Sequence, residues 1–124
     1  MEGVPARRIA RDLGRRAVAL ARTGEADRET IATAVRYALQ EISLVAPGKS
    51  VEIRVPPFGA VQAIEGPGHT RGTPPNVIET DAETFLGLVV GDETWADAVA
   101  RGVIRASGTR ADLTELLPFV EWRE

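Results

Sequence analysis

One histidine, no cysteine and a stretch dense in glycine and proline bound the chemistry this chain can do. His69 and Arg71 sit together in Gly66-Pro67-Gly68-His69-Thr70-Arg71-Gly72-Thr73-Pro74-Pro75-Asn76, with Glu65 and Glu79 flanking it. A guanidinium offers a fork of donors to a carboxylate or phosphate, and an imidazole adds a partner that titrates near neutrality. These types at this spacing point to a site for an anion or a ligand head group. The same residues equally make a structural clasp, in which Arg71 ties Glu65 or Glu79 and stiffens the loop. Both readings are open on sequence alone. Long specialised loops in small domains carry function more often than short ones.

Other chemistries lack their parts. Zinc takes three or four convergent ligands, mostly His or Cys, and neither that supply nor an HExxH spacing is present. Ser43, Ser50 and Ser107 lie outside any G-x-S-x-G context. Gly66-Pro67-Gly68 is not followed by the Lys-Ser/Thr pair of a phosphate loop. We therefore expect no metal, no cofactor and no catalytic residue, and a non-enzymatic protein.

Several elements must position the loop. Val51, Ile53 and Val55 alternate with Glu52 and Arg54, so Ser50–Val55 reads as a half-buried strand. Pro56-Pro57-Phe58-Gly59 turns the chain, Ala60–Glu65 returns, and Val77–Asp81 is a third strand. Before them come two helices. From Ala6 to about Thr23, Ile9, Leu13, Ala17 and Leu20 form a narrow apolar stripe expected to face inward, with Gly24 as the cap. Asp27 caps the second, whose broader face runs from Ile31 through Val35, Leu39 and Ile42 to Val45. After the third strand, Thr80 with Glu83 fits a capping box for a helix ending at Gly91. A short helix through Trp95 and Val99, a strand over Val103–Ser107 and a last helix over Asp112–Phe119 follow, with Phe119, Val120 and Trp122 as an apolar tail. Tight reversals with helices before and after predict an α+β fold.

At 124 residues the chain is one domain in length, and 44% hydrophobic content is enough for a core. No apolar run reaches the ~20 residues of a membrane span, and no secretory signal is evident. The default expectation is a cytoplasmic protein without stable membrane insertion. The net charge of −3 is uneven: residues 1–22 carry six arginines against Glu2 and Asp12, leaving an acidic remainder. That helix lacks aromatics for stacking on bases and its apolar stripe has no bulky anchor for an anionic membrane surface, so packing or self-association, with a homodimer as one form, is expected rather than binding to nucleic acid or to a membrane.

Gly91, Gly102 and Gly108, together with RVPPFGAVQAIEGPGHTRGTPPNVIETD, give the sequence its family character. From Asp27 to Val120 the chain resembles the sterol carrier protein 2 superfamily, in particular its bacterial, actinobacterial branch. The resemblance implies a mostly antiparallel sheet of four to five strands packed with helices over residues 27–124, and the arginine-rich helix in residues 1–26 is this sequence's addition to that pattern. It also implies a hydrophobic tunnel between sheet and helices for a lipid-like small molecule. Phe85, Leu88, Val89, Trp95, Val99, Leu113, Leu116 and Leu117 are the candidate lining, and ordinary core is the competing reading of the same residues. The fold also occurs as the C-terminal domain of mycothiol-dependent isomerases. An accessory or degenerate enzyme and a ligand-free interaction protein are thus the alternatives to a carrier.

Overall fold

The computed structural model describes residues 8–66 and 75–122. Their order is α1 (Arg11–Arg22), α2 (Arg28–Val45), β1 (Val51–Val55), β2 (Gly59–Ala63), β3 (Asn76–Thr80), α3 (Ala82–Val90), α4 (Trp95–Ala100), β4 (Ile104–Ser107) and a 3-10 turn at Val120–Trp122. The fold is α+β. The four strands form one sheet in the order β2-β1-β3-β4. β1–β2 and β3–β4 are antiparallel, whereas β1–β3 is parallel, with Ile53 opposite Ile78.

Side-chain alternation decides which face is covered. Val51, Ile53, Val55 and Ile78 are buried, and they join α2 and α3 in one core through Val35, Ile42, Phe85 and Val89. Glu52 and Arg54 lie on the other face, ion-paired at 2.8 Å. That pair holds the Arg54 guanidinium above its ordinary pKa, with Glu79 adding to the effect.

The helix starts follow local hydrogen bonding. Asp27 Oδ1 accepts from the Thr30 N–H at 2.8 Å, as its N-cap position requires. That bond lowers the Asp27 pKa. The α3 cap is Asp81 rather than the expected Thr80–Glu83 box. Asp81 accepts from the Thr84 N–H at 2.8 Å and from the Thr84 hydroxyl at 3.0 Å. Thr80 is unavailable because it is the last residue of β3, and its hydroxyl donates to Val103 O at 2.7 Å. Gly91 ends α3 in the left-handed conformation, φ 90°, as its position in the sequence predicts.

The expected helix over Asp112–Phe119 does not form. Asp112 instead folds back onto the Thr114 N–H, and only one turn closes, on Leu113 O. Pro118, which has no N–H to donate, cannot continue a helix. The Phe119 N–H donates to Val89 O at 2.9 Å, seating the tail on the end of α3.

α1 corrects a second expectation. Its inner face is Gly14, Ala17 and Val18, while Leu13 and Leu20 are 54% and 48% exposed. Contacts of Gly14, Arg15 and Arg22 set this rotation. Gly14 lies so close to Tyr37 of α2 that a Cβ there would overlap the ring. On one flank, Arg15 stacks over Trp122 at 5.1 Å and donates to Glu121 O, and Arg22 makes a bidentate pair with Asp92. Small residues thus seat the helix where the leucine stripe was expected to. The helix also begins at Arg11 rather than Ala6. Ile9 precedes it in non-helical backbone, tethered by Gln40 through both its N–H and its carbonyl.

Candidate ligand groove between α2 and β2

One edge of α2 presents Arg36, Leu39, Gln40 and Ser43, a row at the spacing that places residues on one side of a helix. β2 is an edge strand, and it lies beside that row because β1 alone pairs with it. Gly59 lets the two approach: a Cβ there would meet Leu39 Cδ1 at 3.3 Å. The groove between them holds about 400 Å³, and Arg8, Ile9 and Leu44 also line it. That volume lies within the range of small-molecule sites.

Leu39, Leu44, Val61 and Ile9 supply apolar walls, and Arg8 and Arg36 supply two guanidiniums. Arg36 Nε donates to Phe58 O at 3.0 Å, which fixes the side chain at the mouth of β2. Its two Nη nitrogens make no hydrogen bond among the described residues. Phe58, whose ring carries Arg28 at 5.3 Å, completes the turn from which Arg36 hangs. An apolar trough ending in a pre-positioned guanidinium suits a molecule with an apolar body and an anionic end.

A larger cleft, of about 820 Å³, lies between the end of α1 and the start of α3. Its walls answer their own charges. Arg22 pairs with Asp92 at 3.0 Å and Arg101 with Glu93 at 2.8 Å. Asp81, also in the wall, is committed to capping α3. Size alone therefore does not make it the better site.

The residues singled out from sequence are dispersed. Phe85, Leu88, Val89, Leu113 and Leu117 are buried in the core, Leu116 and Trp95 pack partly buried against it, and Val99 is half exposed. None of the eight lines either cleft. His69 and Arg71 lie outside the described residues. Glu65 follows β2, and its carbonyl receives Arg110 Nη2 at 3.3 Å. Glu79 sits in β3 opposite Arg54 of β1 and Arg105 of β4. The strands flanking the loop do not pair with each other, since β1 runs between them, so Glu65 and Glu79 are not brought together.

Arg36, Leu39 and Val61 were not singled out from sequence. The signal was the row Arg36-Leu39-Gln40-Ser43 together with Gly59, but it has meaning only once β2 is known to be the strand beside α2.

No helix among the described residues is long and apolar enough to cross a membrane. Residues 27–119 match the family model described as "Bacterial SCP ortholog". The match starts at the N-cap of α2 and takes in both long walls of the groove. No curated protein matches the sequence.

Proposed function

The chain belongs to the family of bacterial SCP orthologs, a bacterial sterol carrier protein family, and from that premise we propose a non-enzymatic carrier of a lipid-like amphipathic molecule. The observation that carries the proposal is the apolar trough ending at Arg36, within the matched region. The apolar body of the ligand lies along Leu39 and Val61, and a carboxylate or similar anion meets the free edge of the Arg36 guanidinium. Leu39 is the hinge of the reading, because it lines the groove and belongs to the same core as Phe85 and Val89. A ligand longer than the groove would part α2 from β2 at Leu39 and reach the interior set Phe85, Leu88, Val89, Leu113 and Leu117. Head-group and chain recognition are thereby assigned to different residues. His69 and Arg71 are kept in the proposal as a second polar contact.

The test compares a fluorescent long-chain fatty acid with its methyl ester, which keeps the chain and removes the charge. The acid binds more tightly than the ester, and Arg36→Ala weakens the acid roughly tenfold while leaving the ester unchanged, the size of one charge-assisted hydrogen bond. Val61→Asp weakens both. Failure of the native protein to bind either probe, with native mass spectrometry showing no bound small molecule, overturns the proposal. Turnover of a thiol conjugate by the purified protein would point to the enzymatic alternative instead.

A further inference from the structure

β2 is an edge strand that the fold leaves unguarded. It pairs with β1 alone, and among the described residues its backbone makes no hydrogen bond outside that ladder. Edges of this kind are usually blunted by charge, proline, a bulge or shortness. Gly59-Ala60-Val61-Gln62-Ala63 carries no charge and no proline, and its register with β1 is continuous over the whole strand. The opposite edge, β4, is shorter and has Arg105 in it. Along β2, Val61 and Ala63 share a face with the buried Ile53 and Val51, whereas Ala60 and Gln62 are exposed. Ala60 and Val61 both line the groove, so the unpaired edge opens onto it.

Edge, groove and guanidinium together select an occupant. A strand added to β2 in the antiparallel sense, the commoner pairing, runs from the Ala63 end toward Gly59. It finishes beside Phe58, whose carbonyl accepts from Arg36 Nε at 3.0 Å. A carboxylate at its terminus therefore arrives where Arg36 presents the Nη nitrogens that have no partner among the described residues. From this we propose that the free edge of β2 docks the extended C-terminal tail of a partner protein, added as a fifth strand with its terminal carboxylate on Arg36. Alternate side chains of the tail would enter the trough against Leu39 and Leu44, so small apolar residues suit those positions. Lengths agree: the row from Arg36 to Leu44 spans about 12 Å of helix, the reach of roughly four extended residues. Charge disfavours a second copy. A two-fold pairing of β2 on β2 would bring two Arg8 and two Arg36 into one seam, and no carboxylate is among the lining residues to offset them. A carrier ligand and a tail would both use Arg36, but only the tail uses the strand edge, so the docking stands whether or not the trough holds a lipid.

Fluorescence polarisation of the full chain with a labelled hexapeptide, Gly-Ser-Thr-Val-Thr-Val with a free C-terminus, tests the proposal. The free acid is expected to bind roughly tenfold more tightly than the C-terminal amide, the size of one charge-assisted hydrogen bond. Arg36→Ala brings the acid down to the level of the amide and leaves the amide unchanged. Strand pairing has its own signature, because only alternate amides of an added strand face β2. N-methylation of both valines and N-methylation of both threonines should thus differ: one set weakens binding tenfold or more, and the other is tolerated. Equal effects of the two sets, or no binding of the unmodified peptide, overturn the proposal. So does a protein whose mass doubles with concentration while the amides of β2 become protected from exchange, since the edge then serves a second copy. A native protein that binds the fluorescent fatty acid but not the peptide overturns the docking alone. One that binds the peptide as expected but neither lipid probe supports the docking and counts against the carrier.

Discussion

Gly14 is the residue on which the seating of α1 turns. Replacing glycine by alanine inside a helix ordinarily gains about 1 kcal/mol. Here the new methyl would overlap Cγ and both Cδ atoms of Tyr37. The ring cannot swing away, because Trp122 stacks on it at 5.2 Å with a 10° interplanar angle. Overpacking of this kind costs roughly 1–3 kcal/mol, so it outweighs the helical gain. Gly14→Ala should therefore lower the melting temperature, whereas alanine at an exposed glycine of a regular helix would raise it; thermal unfolding followed by circular dichroism decides. Nothing in the sequence marks Gly14 as a contact. It reads as a flaw in a helix pattern, and the leucines beside it read as the buried stripe. The arginines decide the matter from outside the helix, through Trp122 and Asp92, and those partners are 70 or more positions away. Site residues were hidden for the same reason. Arg36 and Val61 come together only through the apposition of an edge strand and a helix, which no local pattern states.

Elements were legible where their signals are local. α2, with Asp27 as cap, and β1, β2 and β3 fall within two residues of their expected ends, because alternation, proline-glycine turns and side-chain caps act over a few positions. The parallel β1–β3 pairing was not legible, since it depends on where the loop after β2 delivers the chain. Asn76 is part of that delivery. Its side chain donates to Ser50 O at 2.8 Å and accepts from the Arg110 N–H at 2.9 Å, joining the starts of β1 and β3 to the turn after β4. The α3 cap illustrates how neighbouring polar residues compete. Thr80 and Asp81 are both good caps by type, and strand pairing removes Thr80 from contention by turning its hydroxyl toward Val103. Asp81→Ala should destabilise the protein by about 1 kcal/mol and speed hydrogen exchange at the Thr84 amide, while Thr80→Ala should leave that amide protected. Equal protection of Thr84 in both variants would show that the cap is not where the hydrogen bonds place it.

At the scale of the molecule, α1 stands outside the matched region yet is packed into it. The family match begins at Asp27, after α1, but Ala17 and Val18 of α1 belong to the same buried cluster as Tyr37 and Trp122. The division at residue 26 read from sequence therefore poses a physical question: whether residues 27–124 hold their fold once α1 is gone. Covering Tyr37 and Trp122 is the main task of α1 in that cluster, and Arg15 adds a cation over the indole at 5.1 Å. Such a contact is worth ~0.5–2 kcal/mol, and burial of Ala17 and Val18 adds a comparable amount. Those sums are modest beside the remaining core of the sheet, α2 and α3, so the shortened chain should fold but melt earlier. Removing residues 1–22 in a Trp95→Phe background, where Trp122 is the sole indole, should shift tryptophan emission to the red as water reaches the ring. It should also lower the melting temperature by several degrees, as ~1–3 kcal/mol does in a domain of this size. An unchanged melting temperature and emission would mean that α1 only rests on the core, and that the Tyr37–Trp122 stack is held by α2 and the C-terminal tail alone.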